Sequence, residues 1–386
     1  MKKAHRIILI DVVDPHLHKE GAIKNLEELK LLVETYKGID VIDIIQHRTH
    51  PDKATFIGSG KALELTDIVA DKKINIVVVN AIVNPSVLFN LTQILWTKNP
   101  DIQVWDRVDL ILNIFDLHAH TTEAKLQIEI AQMQHMGPRM YGLGVTYFSR
   151  QAGGIGTKGI GETNIELMKR HWRDQIRKKR EELEKISRQH LIQLERRKNN
   201  NLTSISIVGY TNAGKTSLFN LLTKKKKIVE NALFVTLDSV SGRLYLPTIK
   251  KETIVSDTIG FIRDLPSSLI NSFKSTLMES IHADILLHVI DISDPKMNEK
   301  IEIVEKILYE IRVQSKRIIY VFNKIDAYEG DGKKILKEIN NKYSYFSPQF
   351  ISATTNYGIK KLINEIEKDL KNVVGTKWWT GGDLNP

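Results

Sequence analysis

The sequence predicts an α/β protein in three parts: a small N-terminal parallel α/β domain, a helical hairpin, and a C-terminal doubly wound P-loop domain. Three observations predict this class. Short β-branched runs alternate with helical patterns over the first 115 residues, two helical stretches then flank a glycine-rich segment, and a phosphate-loop pattern follows the next strand. Strands that alternate with helices are typical of parallel sheets covered by helices.

The composition is that of a globular protein with more than one domain. The chain has 386 residues, of which 42% are hydrophobic and 26% are charged, so it can bury two or three cores. It has no cysteine, which excludes disulfides and thiolate metal sites. No apolar run approaches the roughly 18–20 residues that cross a bilayer. We therefore expect a cytoplasmic protein. We also expect it to have no membrane partner and to be monomeric when free.

The net charge of the chain is +10, and its isoelectric point is near 9.3. Such a charge favours a polyanionic partner, either a nucleic acid or an anionic membrane surface. Charge alone does not choose between the two, and many basic proteins bind neither. The composition favours a nucleic acid over a membrane.

Residues 1–116 are predicted to form the N-terminal domain. Runs of β-branched residues predict its strands, and the stretches between them have helical spacing. The predicted strands are residues 6–13, 41–47, 74–80 and 102–115, and the predicted helices are residues 26–35, 61–70 and 85–96. Gly58-Ser59-Gly60-Lys61 lacks the full spacing of a phosphate loop, so we interpret it as a strand-to-helix turn.

Residues 117–199 are predicted to form a helical hairpin. Two helical patterns flank residues 137–161, which are rich in glycine and small side chains. We expect this segment to be a large Gly-rich loop, and long loops of this kind are usually functional. His118, His120 and His135 could imitate a metal cluster, but the first two diverge on a helix, so we reject a metal site here.

The second helix of the hairpin is strongly basic. Between Lys169 and Lys198 there are twelve Lys or Arg and five Asp or Glu, an excess of seven positive charges. A charge run is usually a solvated helix face stabilised by i,i+4 pairs. Arg177-Lys178-Lys179-Arg180, however, covers all sides of one helical turn, which favours contact with the phosphates of a nucleic acid.

Residues 200–372 are predicted to form the third domain, and residues 373–386 a tail to which we assign no function. The domain begins with a strand, a loop and a helix. Further strands follow in the segments TIVSD, DILLHVID, RIIYVFNK and QFISA, separated by helices. This is the pattern of a doubly wound domain, which binds its ligand at the carboxyl ends of its strands.

A phosphate-binding loop follows the first strand of this domain. Gly209-x-x-x-x-Gly214-Lys215-Thr216 lies between a strand and a helix, as a P-loop requires. Backbone N–H groups wrap the phosphates, Lys215 reaches the β- and γ-oxygens, and Thr216 coordinates Mg²⁺. The predicted nucleotide contacts of this loop are Gly209, Tyr210, Thr211, Asn212, Ala213, Gly214, Lys215, Thr216 and Ser217.

The segment Asp257-Thr258-Ile259-Gly260 is the second signature. It ends a predicted strand, where the carboxylate of Asp257 can hold Mg²⁺ through water and the N–H of Gly260 can sense a γ-phosphate. We include Thr258 and Ile259 among the nucleotide contacts. This signature predicts a nucleoside triphosphatase that responds to the γ-phosphate.

Two further signatures predict that the base is guanine. Asn323-Lys324-Ile325-Asp326 follows a predicted strand, and a carboxylate at Asp326 can accept hydrogen bonds from N1–H and N2–H₂ of guanine. Adenine cannot donate this pair. The base pocket is closed by Ser352, Ala353 and Thr354. Four signatures in this order predict a GTPase domain that binds GTP and GDP.

The segment LFVTLD holds the candidate switch I threonine. The hydroxyl and carbonyl of Thr236 would meet Mg²⁺ and the γ-phosphate, with Phe234 and Val235 beside the nucleotide. A threonine in a β-rich run is also compatible with an ordinary strand residue. The predicted catalytic residues are Lys215, Thr236 and Gly260, and the predicted Mg²⁺ ligands are Thr216, Thr236 and Asp257.

Phe261 follows the second signature, where many small GTPases carry the glutamine that orients the attacking water. An apolar side chain cannot do this, so we expect slow intrinsic hydrolysis. Asn212, three residues before Lys215, can ligate a monovalent cation such as K⁺ beside the phosphates. The alternative is that Asn212 only supports the loop, and the sequence does not choose between these roles.

The sequence resembles the HflX family of GTPases, a ribosome-associated class related to translation factors. The segments GYTNAGKTSLFNLL, LFVTLDSV, DTIGFIRDLP and NKID are similar to the nucleotide motifs of that family. Upstream, TFIGSGKALEL at residues 55–65, residues 106–140, and GGIGTKGIGETNIE at residues 153–166 are similar to its other signatures. The resemblance covers about residues 45–370.

The resemblance implies a GTPase that binds the large ribosomal subunit and its rRNA, and that splits or rescues stalled ribosomes under stress. The Gly-rich loop is then expected to reach toward the peptidyl-transferase region. Lys158, Ile160 and Asn164 stand where this resemblance leads us to expect arginine, proline and glutamine. Lysine keeps the charge of arginine but loses its bidentate fork, so the contacts of this loop are expected to differ.

Three functions stay open on the sequence alone. The first is a GTPase acting on translation at the ribosome. The second is a GTPase in RNA modification, rRNA maturation or ribosome assembly. The chain shows no catalytic site for modification chemistry, because it has no cysteine nucleophile and no methyl-donor fingerprint. The third is a switch that regulates a membrane process or another protein away from the ribosome and uses the N-terminal domain as a binding module.

Overall fold

A computed structural model describes the chain over residues 5–16, 19–151, 158–200, 202–225, 234, 240–263, 265, 269, 277–313 and 317–379. The chain divides into two compact units, Met1–Glu184 and Lys185–Pro386. In the described part of the chain, no helix is both long and apolar enough to span a bilayer.

The first unit contains a four-stranded parallel sheet with the strand order β2-β1-β3-β4. Its elements are β1 (His5–Val13), α1 (Lys19–Thr35), β2 (Gly38–His47), α2 (Ser59–Asp71), β3 (Ile76–Val79), α3 (Pro85–Trp96), β4 (Gln103–Trp105) and α4 (Arg107–His118). The predicted parallel α/β class is confirmed. Strand β2 ends at His47 and helix α2 begins directly after Gly58, so the segment that superficially resembles a phosphate loop is the N-cap and first turn of a helix, not the predicted strand-to-helix turn.

Strand β1, one of the two inner strands of this sheet, contains a continuous apolar run. Ile7, Ile8, Leu9 and Ile10 are all fully buried, because a parallel strand covered on both faces has no solvent-facing side. Successive side chains point to opposite faces, so both faces of the sheet carry core residues.

One element of the first unit differs from the sequence prediction. Residues 102–115 were predicted as a strand, but only β4 is extended, and α4 begins at Arg107. Asp106 accepts from the Asp109 backbone N–H at 2.9 Å, and the Asp109 side chain accepts from the Asp106 backbone N–H at 3.0 Å. This reciprocal capping box starts the helix. Helix α4 is buried on nearly all sides, so its apolar residues do not recur with the 3.6-residue period of an amphipathic helix. Periodicity therefore cannot distinguish it from a buried strand.

The helical hairpin consists of α5 (Thr122–Gln151) and α6 (Lys158–Asn199). Trp172 Nε1 donates to the Met133 carbonyl at 2.8 Å, and Lys179 Nζ lies 2.6 Å from Glu129 Oε2, so the two helices contact each other. The predicted loop at residues 137–161 was too long, since only residues 152–157 lie between the helices, and these are outside the described residues. A helical glycine costs only about 1 kcal/mol relative to alanine, so a few glycines do not end a helix.

The second unit is a six-stranded sheet with the order β10-β9-β8-β5-β7-β6, in which only the β6–β7 pair is antiparallel. After the last turns of α6, its elements are β5 (Ser204–Gly209), α7 (Lys215–Thr223), β6 (Val240–Leu246), β7 (Lys251–Asp257), α8 (Met278–His282), β8 (Ile285–Asp291), α9 (Met297–Glu310), β9 (Arg317–Asn323), α10 (Gly332–Lys342), β10 (Gln349–Phe350) and α11 (Ile359–Trp379). The doubly wound prediction is confirmed, and β6 is a strand that it did not include.

The topology of this sheet sets the position of the site. β5 lies between β7 and β8, and the next strand outward from β8 is β9. These four strands are parallel, so their carboxyl ends lie at one edge of the sheet. In doubly wound domains, ligands bind beside the carboxyl ends of the strands, where the strand order reverses. The predicted signatures follow β5, β7, β9 and β10, and they therefore meet at one edge.

Candidate nucleotide site

The phosphate loop connects β5 to α7 and is shaped by glycine. Gly214 has a φ of +90°, a left-handed conformation that only glycine adopts without strain. A Cβ at this position would lie 2.2 Å from Nδ2 of Asn323. Helix α7 begins at Lys215, so its N-terminal backbone N–H groups point toward the loop. This is the arrangement that binds phosphate groups.

Lys215 is buried in the loop, and among the described residues its ammonium group has no carboxylate as a hydrogen-bond partner. Its Nζ donates to the backbone carbonyl of Tyr210 at 2.7 Å. Burial lowers the pKa of Lys215 to about 8, and the charge of Asp257 partly opposes this shift. A phosphate beside Nζ would add a negative charge to that of Asp257 and favour the protonated lysine. The geometry thus fits a lysine that contacts the phosphate oxygens of a nucleotide.

A hydroxyl and a carboxylate face each other beside this lysine. Thr216 Oγ1 on α7 donates to Asp257 Oδ2 at the end of β7, at a distance of 2.9 Å. Asp257 is fully buried. Both groups present the hard oxygen ligands that Mg²⁺ prefers, and they lie next to the phosphate loop. The residues present therefore fit a magnesium ion held beside the phosphates.

The segment after Asp257 runs alongside the phosphate loop. The N–H of Thr211 donates to the Phe261 carbonyl at 2.8 Å, and the N–H of Phe261 donates to the Gly209 carbonyl at 3.1 Å. A Cβ on Gly260 would lie 2.8 Å from Thr211 Cγ2 and 2.9 Å from Lys215 Nζ. The two loops are therefore packed so closely that only glycine fits between them.

The side chain of Phe261 is 1% exposed. It belongs to the core of the second unit and does not project into the phosphate region as a solvated side chain. Two residues further on, the Arg263 backbone N–H donates to the hydroxyl of Tyr210 at 2.8 Å, which adds a third hydrogen bond between the two loops. In this structure the residue after Gly260 therefore offers no polar group to a water molecule.

The guanine signature is joined to the phosphate loop by one amide. Asn323 Nδ2 donates to the Ala213 carbonyl at 2.9 Å, and Asn323 Oδ1 accepts from the Ala353 N–H at 3.0 Å. Lys324 has a φ of +62° and forms an ion pair with Asp291 at 2.7 Å. Sequence reasoning missed Asp291, which has no motif of its own and is found only because β8 and β9 are neighbours.

Asp326 lies in a single 3₁₀ turn, Ile325–Ala327, directly after this lysine. Its side chain is exposed and has no hydrogen-bond partner among the described residues. Ser352 is fully buried and its Oγ accepts from the N–H of Thr355 at 3.0 Å, which shapes the closing loop. Ala353 and Thr354 follow in that turn. The carboxylate of Asp326 is thus available to a base.

The remaining predicted residues are placed as follows. Thr258 Oγ1 donates to the Ile207 carbonyl at 2.7 Å and Ile259 is buried, so both side chains act in the structure of the loop. Asn212 has a φ of +61°, and its exposed side chain has no hydrogen-bond partner among the described residues. Phe234 is buried and Ser217 is half-buried, whereas Val235 and Thr236 lie outside the described residues.

Three known protein families match successive parts of the chain. They are described as GTP-binding GTPase N-terminal at residues 23–116, GTP-binding GTPase Middle Region at residues 118–197, and 50S ribosome-binding GTPase at residues 204–324. GTPase HflX of Caldanaerobacter subterraneus subsp. tengcongensis is 41% identical over 366 residues, which is 95% of this chain and 80% of that protein. The chain belongs to the HflX family of GTPases.

Other relatives extend over similar lengths. GTPase HflX of Escherichia coli K12 is 35% identical and covers 94% of this chain and 83% of its own length. A solved structure of a GDP complex, SsGBP, aligns with a TM-score of 0.53 and 27% identity over 95% of this chain and 99% of its own. An HflX GTPase with this site binds and hydrolyses GTP, as the sequence predicts.

Proposed function

We propose that this HflX-family GTPase associates with the large ribosomal subunit and its rRNA, and acts in ribosome splitting or rescue under stress. The observation that carries this proposal is the match of residues 204–324, which hold the phosphate loop, the Asp257–Gly260 signature and the start of the guanine motif, to the family described as 50S ribosome-binding GTPase. The net charge of +10 is consistent with an RNA partner, because basic surfaces neutralise phosphates. Assembly or maturation of the ribosome is the alternative that shares this partner.

The site supports a dependence of turnover on that partner. Because Phe261 is buried, it cannot orient the attacking water as a glutamine does. A group supplied by the partner, or a rearrangement that the partner stabilises, would then complete the site. Slow intrinsic hydrolysis and strong stimulation by the large subunit follow from this proposal.

The roles of the site residues are proposed on the geometry above. Thr216 and Asp257, with Thr236 from switch I, would hold Mg²⁺, which neutralises charge on the phosphates when bound. Lys215 contacts the β- and γ-oxygens, and the N–H of Gly260 contacts the γ-phosphate. Lys215→Ala should abolish nucleotide binding or turnover.

The basic turn of α6 is a candidate contact surface for rRNA. Lys178 and Arg180 are exposed and have no ion-pair partner among the described residues. Arg177 lies 3.4 Å from Asp174 and 3.8 Å from Glu181, and Lys179 pairs with Glu129, so both are partly neutralised. The two cations without a partner are therefore the better probes of phosphate contact.

The decisive experiment measures GTP turnover of the full chain with and without purified large subunits. Stimulation of the wild type supports the proposal, and unchanged turnover removes the ribosomal partner. Co-sedimentation with 70S particles, free subunits, naked RNA and liposomes then separates ribosome binding from RNA maturation and from a membrane switch. Deleting residues 153–161 should spare GTP binding but reduce the effect on ribosomes.

Charge-reversed variants test the surface. Lys178→Glu combined with Arg180→Glu should weaken subunit binding and flatten its salt dependence, because each neutralised phosphate releases counterions. The matched control is Lys334→Glu combined with Lys337→Glu on α10, which has the same change in net charge on exposed side chains. Equal loss in both variants would show a general charge effect and no specific surface.

A monovalent cation at Asn212 is proposed as a second cofactor. The exposed asparagine has no hydrogen-bond partner among the described residues, so its side chain is not engaged in supporting the loop. Turnover should then be faster in K⁺ than in Na⁺, and Asn212→Ala should remove the difference. Equal rates in the two salts would leave Asn212 without a cation.

A further inference from the structure

A buried carboxylate in the second unit joins the last turns of α6 to the strand that carries Asp257. Glu279, on the short helix α8, is 4% exposed. Its Oε1 lies 3.2 Å from Nη1 of Arg197 and 3.5 Å from Nε2 of His190, both on α6. Its Oε2 accepts from Ser256 Oγ on β7 at 2.5 Å. No nucleotide motif contains Glu279.

The two oxygens of this carboxylate contact three different elements: Oε1 contacts α6 and β6, and Oε2 contacts β7. A buried carboxylate is costly unless it is paired and hydrogen-bonded, so Glu279 is held where both sets of partners are satisfied. Ser241 on β6 donates to the same Oε1 at 3.4 Å. Displacement of α6 would therefore remove the cationic partners of Glu279 or move the carboxylate with them.

The strand on the other side leads directly to the proposed magnesium ligands. Ser256 immediately precedes Asp257, whose Oδ2 accepts from Thr216. The next residue on α8, Ser280, lies 2.8 Å from Ser206 through the two hydroxyl oxygens. Ser206 is in register with Ser256 on β5 and β7. A shift of α8 is thus opposed by two neighbouring strands of the site.

We propose that Glu279 is a positioning residue through which the last turns of α6 set the end of β7 and thereby the Thr216–Asp257 pair. This inference rests on the proposed role of Thr216 and Asp257 as magnesium ligands. The ion pair between Arg197 and Glu279 couples the carboxylate to α6, and the hydrogen bond between Ser256 and Glu279 couples it to β7. Loss of either contact should raise the Mg²⁺ concentration that the site requires, although every residue of the nucleotide motifs is unchanged.

The test compares the magnesium requirement of the full chain, which is the Mg²⁺ concentration for half-maximal binding of a non-hydrolysable GTP analogue and, separately, for half-maximal GTP turnover. Arg197→Met should raise this concentration by about threefold to tenfold, the size of effect that coupling between contacting residues produces. Arg197→Lys keeps a cation and should restore most of the wild-type value. Arg196→Met is the matched control, because the neighbouring Arg196 is exposed and has no ion-pair partner among the described residues.

Two further variants separate the possible outcomes. Thr216→Ala should raise the magnesium requirement by itself, and if it does not, the magnesium assignment fails. If Thr216→Ala raises the magnesium requirement but Arg197→Met leaves it unchanged, the positioning role of Glu279 is overturned. Glu279→Gln should give the same shift as Arg197→Met, and the double variant should add little to either. A lower thermal stability with an unchanged magnesium requirement would assign Glu279 to the fold alone.

Discussion

Asn323 at the end of β9 donates from Nδ2 to the backbone carbonyl of Ala213 in the phosphate loop, at 2.9 Å. The same side chain accepts from the backbone N–H of Ala353 at 3.0 Å. Asn323 is 2% exposed, so both bonds are shielded from water. One amide therefore holds the phosphate loop, the guanine motif and the closing loop in a fixed relation.

Replacing Asn323 should disturb all three loops. Asn323→Ala leaves the carbonyl of Ala213 and the N–H of Ala353 without their side-chain partner. Such a loss typically costs about 1–3 kcal/mol of unfolding free energy, and GTP affinity should fall with it. Denaturant unfolding and GTP titration measure both effects. Unchanged GTP affinity would show that the amide does not organise the site.

The base preference of the site should depend on Asp326. Asp326→Asn replaces a carboxylate that accepts two hydrogen bonds with an amide that donates one, so GTP affinity should fall and xanthosine triphosphate should bind better. In the complex, a polar group of the bound base that is left unpaired away from water costs several kcal/mol of binding free energy. Competition titrations with GTP, xanthosine triphosphate and ATP measure this change. Equal affinity of the wild type for ATP and GTP would contradict the assignment.

Close packing at Gly260 should make that position intolerant of a side chain. Gly260→Ala places a Cβ 2.9 Å from Lys215 Nζ and 2.8 Å from Thr211 Cγ2, and the loop must shift to relieve this contact. We expect the affinity for GTP to fall more than the affinity for GDP, because the N–H of Gly260 is proposed to contact the γ-phosphate. Gly332→Ala is the control, since its Cβ would have no neighbour within 4 Å. Equal losses for both nucleotides would place the effect elsewhere in the loop.

The stability of the chain at acid pH should depend on Glu279. Desolvation opposes ionisation of Glu279, but hydrogen bonds from His190 and Ser256 and the charges of Arg197 and His190 outweigh it and lower its pKa to about 2. A carboxyl with a depressed pKa stabilises the fold above its unfolded pKa of 4.5. That stability, about 3 kcal/mol, is lost as pH falls from 4.5 toward 2.

Glu279→Gln isolates this contribution. The variant should unfold more easily at neutral pH, and its unfolding free energy should change less than that of the wild type between pH 5 and pH 2. Denaturant titrations at several pH values measure the two slopes. Parallel slopes for the wild type and the variant would show that Glu279 does not titrate with unfolding in this range.

The sequence identified the parts of the site that depend on local backbone geometry. The spacing from Gly209 to Thr216 is imposed by a strand, a turn and a helix that follow one another in the chain. The phosphate loop can therefore be recognised from the sequence without knowledge of tertiary contacts. The guanine motif, Asn323 to Asp326, has the same property. Prediction was weaker where a helix is buried on nearly all sides and has no amphipathic period. Helix α4 is such a case, and most of its residues were predicted to form a strand.

Contacts between distant residues could only be found in the folded chain. Asp291 pairs with Lys324 because β8 and β9 are neighbouring parallel strands, and neither residue type nor spacing indicates this. Glu279 is 82 residues from Arg197 and has no motif, yet burial requires that its charge be paired. The sequence by itself determined the nucleotide chemistry, because motifs fix short-range geometry. Tertiary structure alone decided which side chains position it, because packing brings together residues that the chain keeps apart.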